Sequence, residues 1–269
     1  MDIKSIKRSY KAKAKEIKKR TKSEIKASKR ERRKALYELH DKKLADIRAA
    51  IVEKGKRAPI DPPRRHLLEE IGNSVTHGIG SLLSVAALIF MIVYSSGALE
   101  LVGAIVYSFG LFAMFTMSCL YHAFPHGSRV KRLFRRFDYS GIYLLIGATF
   151  APILLSYVGG TFGIVFFAVQ WAVIITGVTF IGVFGPTRLR WLHTPLYIIL
   201  GWCGIMFMPT MLKTDPWFVF YILGGGIIYS LGIIPFRMKT KVAHFIWHFF
   251  VLGGAALQWV GVFLFVYLS

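Results

Sequence analysis

The chain has 269 residues, is 54% hydrophobic and 15% aromatic, and carries a formal net charge of +21. Its only two cysteines, Cys119 and Cys203, both lie in apolar stretches, which excludes a disulfide framework. Charge and hydrophobicity belong to different regions: residues 1–66 hold 24 Lys and Arg against 9 Asp and Glu, net +15, whereas residues 67–269 hold 11 against 5, net +6. This predicts a basic arm with its linker over 1–66 and a membrane body over 67–269.

The arm opens MDIKSIKRSYKAKAKEIKKR, with neither the apolar core nor the small-residue cleavage site of a secretory signal. No cleaved leader is expected, and the first membrane helix serves as its own insertion signal. Apolar residues at Ile3, Ile6, Tyr10, Ala14 and Ile17, then at Leu36, Leu39, Leu44, Ile47 and Ile51, give helical periodicity with a break around residues 21–30. A solvated charged helix, a helix lying on anionic lipid, and self-association or nucleic-acid binding all fit this pattern. Tethering beside an anionic leaflet favours lipid, and no nucleic acid is expected. The stretch Lys54–Arg65, with Pro59, Pro62 and Pro63, is read as the linker that stops the helix.

Crossing a bilayer takes about 20 apolar helical residues. Such runs occur near 74–94, 99–121, 139–158, 162–184, 192–212, 217–236 and 243–267, which predicts an all-α integral membrane protein, a bundle of seven transmembrane helices. Pro152, Pro195 and Pro209 fall inside these runs and are expected to kink them. Gly159, Gly163 and Gly224 to Gly226 are read as packing positions. Of the 11 Lys and Arg after residue 66, ten (Arg129, Lys131, Arg132, Arg135, Arg136, Arg188, Arg190, Arg237, Lys239 and Lys241) cluster in the second, fourth and sixth connections or at their helix ends. The positive-inside rule then places the N-terminus in the cytoplasm and the C-terminus outside, in the cell membrane.

On that topology Ser118, His122, Asp138, His244 and His248 share one depth near the cytoplasmic surface. Ionisable groups inside such segments are costly, so they point to function. Ser118/His122 and His244/His248 are spaced i, i+4, one turn apart on one helical face. Three imidazoles with a carboxylate nearby describe a catalytic zinc site, His122, His244 and His248 being the ligands. Zinc there would polarise a carbonyl and acidify a water, with Asp138 acting on that water and Ser118 donating to a developing oxyanion or orienting a ligand. Hydrolysis of an amide or ester is the reaction class. Asp138 pairing with Arg135 or Arg136, and Ser118 bonding back to its own helix, stay open. Glu70, Asn73 and His77, spaced i, i+3, i+7, are candidates to steady the imidazoles, or else to cap and hydrate the first span. Cys119 is read as packing, and His126 and His193 are unassigned.

The segments EEIGNSVTHGIG (69–80), SCLYH (118–122), FDYSGIYLLIGATFAP (137–152) and HFIWH (244–248) resemble the hemolysin III family, the bacterial branch of the progestin and adiponectin receptor superfamily. The resemblance covers residues 67–269. It implies a zinc site formed by His122 on the second helix with His244 and His248 on the seventh, Asp138 associated with the zinc-bound water, and Ser118 as the family's helix-two serine. It also implies Glu70, Asn73 and His77 as family positions without a settled role. Members are described as receptors, ceramidase-like lipid amide hydrolases, haemolysins and regulators of membrane fluidity, so the resemblance bears on the site more than on the substrate. Three expectations follow: a zinc-dependent hydrolase whose substrate is a membrane lipid, a non-enzymatic membrane sensor or homeostasis factor with structural zinc, and a cytolytic pore former. The basic arm departs from the bacterial members.

Overall fold

The computed structural model describes residues 3–53, 62–238 and 240–269, which divide into two compact units at residue 60. The first unit holds α1 (Ile3–Glu53), one unbroken helix. The break expected around residues 21–30 is absent: Lys, Glu, Ala and Arg, good helix formers, make up most of that stretch. Exposed i, i+4 pairs, Arg20 Nε to Glu24 Oε1 at 3.2 Å and Lys34 Nζ to Glu38 Oε1 at 4.0 Å, add small increments. Residues 54–61, most of the expected linker including Pro59, lie outside the described residues, as does Lys239, whereas Pro62–His66 carry no helix.

The second unit is all helix among the described residues: α2 (Leu67–Val93), α3 (Ala98–Ala123), α4 (Arg129–Pro152), α5 (Gly160–Phe184), α6 (Arg190–Trp202), α7 (Met208–Thr214), α8 (Pro216–Arg237) and α9 (Ala243–Val262). Among the described residues six helices are long and apolar enough to cross a membrane, seven if α6 and α7, bent by 45° at their junction, are counted as one span. The run read as one helix over 192–212 is therefore two pieces joined by a 3₁₀ turn, Cys203–Met206. Pro209 sits in the first turn of α7, where its missing donor costs nothing. After Pro152, α4 widens into a π-helix, Ile153–Val158, and ends at Gly159 and Gly160, both at φ near +60°.

Two local signals position the site. The Ser128 hydroxyl accepts from Lys131 N at 3.0 Å and starts α4 at Arg129, ten residues before the expected span, so Asp138 lies two and a half turns inside the helix. Small residues then let α3 and α4 touch: a Cβ on Gly110 would stand 2.2 Å from Ala148 Cβ, and one on Gly141 3.0 Å from Met114 Cα. Gly163 has the same character, a Cβ there falling 2.0 Å from the Leu154 carbonyl oxygen, while Gly226 faces open space. The largest core cluster, built around Tyr107, Phe115, Phe150 and Phe218, runs between these helices, while Ile164, Val165 and Val169 of α5 remain exposed as expected of a lipid-facing surface.

Candidate metal centre

The polar residues singled out in the sequence meet at one end of the bundle. α3 brings Ser118 and His122 in its last two turns, α4 brings Asp138, α9 brings His244 and His248 in its first two turns, and α2 brings Glu70, Asn73 and His77. His122, His244 and His248 each offer a ring nitrogen, and the three nitrogens lie within 4.8 Å of one another. His244 Nε2 is 3.3 Å from His122 Nε2. Two imidazole nitrogens bound tetrahedrally at zinc distances stand about 3.3 Å apart, so this separation fits a shared cation.

Hydrogen bonds on the far side of the His122 and His248 rings decide which nitrogen of each is free. His122 Nδ1 is 2.5 Å from Glu70 Oε2, and a carboxylate only accepts, so Nδ1 carries the proton and the Nε2 lone pair faces the cluster. The Asn73 side-chain amide lies 3.4 Å from the same Nδ1. Thr76 Oγ1 donates to the backbone oxygens of Gly72 at 2.9 Å and Asn73 at 3.1 Å. Its hydrogen being spent, it can only accept from His248 Nδ1 at 3.4 Å, which frees His248 Nε2. His77 reaches the cluster by stacking: its ring lies 3.7 Å from that of His248 at 19°, with Phe115 edge-on at 5.1 Å.

Glu70 is itself held. Lys131 Nζ, almost completely buried, lies 3.0 Å from Glu70 Oε1 and donates to Phe124 O at 2.9 Å and His122 O at 3.5 Å. The ammonium thus ties α2, the C-terminal end of α3 and α4 to one another. Thr76 and Lys131 were not found by sequence reasoning. Thr76 had a signal, lying three residues after Asn73 on the face of α2 that carries the cluster, whereas Lys131 was read only as one of the positive charges that orient the chain.

Asp138 is buried, and it lines the same small cavity as Ser118. The Arg135 guanidinium sits 5.7 Å over the Tyr139 ring, and Arg136 Nη1 donates to Gly182 O at 2.6 Å. Cys119 Sγ is 3.4 Å from Ser74 Oγ, in the helix-packing role expected of it. His193, left unassigned, bonds through Nδ1 to the Tyr143 hydroxyl at 3.0 Å, far from the cluster in sequence and on α6.

A cavity of about 30 Å³ is walled by Ser118 and Asp138 together with His77, His244 and His248. That volume suits a water molecule. Asn73 Oδ1 and both ring nitrogens of His77 are buried without a hydrogen-bond partner among the described residues. Stranded polar atoms are costly, and a polar or cationic guest suits them. Three imidazoles, two of them with fixed tautomers, with one buried carboxylate and no thiolate among them, form a donor set that fits zinc. A second cavity of about 160 Å³, overwhelmingly apolar, lies between α4, α6, α8 and α9 and shares Met114, Tyr139, Ile142, Phe236 and Trp247 with the smaller one.

Comparison with known proteins places the sequence. Hemolysin-3 of Bacillus cereus is 38% identical over 203 residues, covering 74% of this chain and 92% of that protein. The Hemolysin-3 homolog of Bacillus subtilis (strain 168) is 35% identical over 193 residues, 70% of this chain and 90% of its own length. Human monocyte to macrophage differentiation factor is 25% identical over 207 residues, 75% of this chain and 86% of its own length. All of these matches fit within the membrane unit by length, and the family described as Haemolysin-III related matches residues 65–259, from the residue before the α2 cap to the last turn but one of α9, so the chain belongs to that family.

Proposed function

We propose that this chain is a zinc-dependent hydrolase of lipid amide or ester bonds, with His122, His244 and His248 as the zinc ligands. The observation that carries the reading is the 160 Å³ apolar cavity sharing a wall with the polar one, since a lipid hydrolase needs an acyl slot ending at its reacting group. Zinc held there supplies Lewis-acid polarisation of a carbonyl. The remaining chemistry belongs to the protein. The Asp138 carboxylate, which shares the small cavity with the Ser118 hydroxyl, takes a proton from water there as the water oxygen adds to the substrate carbonyl carbon. The same carboxyl then returns the proton to the departing amine or alkoxide as the C–N or C–O bond breaks. Tyr139, Ile142, Phe236 and Trp247 keep bulk water from the acyl side. Charge bias in the connections supports placing this end of the bundle at the cytoplasmic surface.

The test is fatty-acid release from a lipid extract by purified protein, with metal content measured on the same sample. Asp138→Asn is expected to keep zinc and lose turnover, and His244→Ala to lose both. Turnover that survives the loss of zinc would reject the reading. The Lys131–Glu70–His122 chain, which links three helices to one ligand, favours a second reading in which zinc is a structural clamp in a membrane sensor. Under that reading Asp138→Asn leaves the biological phenotype intact, His122→Ala destroys it, and no fatty acid is released by any variant.

A further inference from the structure

The apolar residues of α1 follow an 11-residue repeat that the unbroken helix converts into one straight seam. Positions 3, 14, 25, 36 and 47 are Ile, Ala, Ile, Leu and Ile, and positions 6, 17, 28, 39 and 50 are Ile, Ile, Ser, Leu and Ala. Eleven residues make about three turns of undistorted helix, so each row runs parallel to the axis. At about 1.5 Å per residue the 51-residue helix carries this seam for about 76 Å. Ile17, Ile25, Leu36, Leu39 and Ile47 are all more than half exposed.

Charge is sorted about the seam. The three rows on one side of it (4, 15, 26; 7, 18, 29; 11, 22, 33) are occupied entirely by Lys and Arg, and their later positions, Tyr37, Arg48, His40, Ile51 and Leu44, add no acid. Every Asp and Glu of α1 lies on the other side or the back of the helix: Glu16, Glu24, Glu31, Glu38, Asp41, Asp46 and Glu53. Between the two apolar rows run Tyr10, Thr21, Arg32 and Lys43.

We propose that α1 lies along an anionic bilayer surface, its seam sunk at the headgroup boundary and its cationic rows on lipid phosphates. Three observations select lipid. A second copy packed seam to seam would bring Arg32 and Lys43 into a shared interface with their own kind, a repulsion that anionic lipid turns into attraction. A nucleic acid answers the cations but offers no apolar phase to Ile17, Ile25, Leu36 and Ile47. Connectivity delivers the helix to a bilayer, since the first membrane span begins at Leu67, fourteen residues beyond the end of α1. Long Lys and Arg stems reach from the seam to the headgroups while their methylenes stay in the apolar boundary.

The experiment uses the full chain in vesicles of equimolar phosphatidylglycerol and phosphatidylcholine, or of phosphatidylcholine alone, with a benzophenone amino acid placed at Ile25 or, on the opposite face, at Ser23. Lipid adducts are expected from position 25 but not from 23 in the anionic vesicles. They should be lost in phosphatidylcholine, at high salt, and in the triple variant Lys15→Glu, Lys18→Glu, Lys22→Glu. Covalent dimers from position 25, equal lipid capture from both positions, or no capture in either bilayer overturns the proposal. Metal content and lipid hydrolysis do not enter this readout, so its outcome is independent of the proposed reaction.

Discussion

Glu70 and Thr76 stand outside the ligand set, yet each fixes the tautomer of one imidazole. Replacing Glu70 with Gln removes the charge that His122 Nδ1–H points to, and the amide can rotate its NH₂ toward that donor. Loss of such a partner lowers metal affinity by about 10–100-fold, which competition with a chromogenic chelator would measure. The same change strands the buried Lys131 ammonium, so Glu70→Gln should also lower the Tm. Adding Lys131→Met to it is expected to recover the Tm without recovering the affinity, because only the stability loss comes from the unpaired charge. Thr76→Val, nearly isosteric, takes the acceptor from His248 Nδ1 and should weaken zinc to a smaller degree, since a hydroxyl polarises the ring less than a carboxylate. That His122, His244, His248, Asp138, Ser118 and the Glu70/Asn73/His77 face gather at one end of the bundle could be read from residue type, helical spacing and shared depth. Thr76 and Lys131 could not, because their roles depend on which carbonyl a hydroxyl has already engaged and on which loop a lysine folds under, and neither leaves a periodic trace.

At the scale of elements, the site depends on how closely α3 and α4 approach, since one carries Ser118 and His122 and the other Asp138. Gly110→Ala puts a methyl 2.2 Å from Ala148 Cβ, an overlap that only separation of the helices relieves. Overpacking of this kind costs about 1–3 kcal/mol. The variant should melt earlier and bind zinc less tightly, whereas Gly226→Ala, whose new methyl meets nothing within 4 Å, should leave both unchanged. The spans were legible as runs of apolar residues, with two exceptions that show what composition leaves out. The fifth run reads as one stretch with a kink expected at Pro209, and the chain breaks into two helices at Cys203–Phe207, just before that proline, which cannot donate to the Ile205 carbonyl. The third span starts at Arg129 because Ser128 caps it, and five basic residues that look like a loop belong to its first turns.

The whole molecule consists of two units of different physics, a charged rod and an apolar bundle, and relatives align with a length that matches the bundle alone. Removing residues 1–60 is therefore expected to leave the metal content and Tm of the remaining chain unchanged, as mass spectrometry and a thermal melt in detergent would show. A large fall in either would mean that the rod supports the bundle. The stripe of the early residues continues through the stretch where a break was expected, Ile25 recurring eleven residues after Ala14 and eleven before Leu36.

His122 and His244 are 122 residues apart, and everything that orients the first of them comes from α2, α3 and α4. A nascent chain thus has one of the three imidazoles aimed early by Glu70 and Lys131, and waits for its last helix to supply the other two. On the proposed reading, a chain stopped before Ala243 owns a single aimed ring and stays empty, so capture of the cation follows insertion of the last helix.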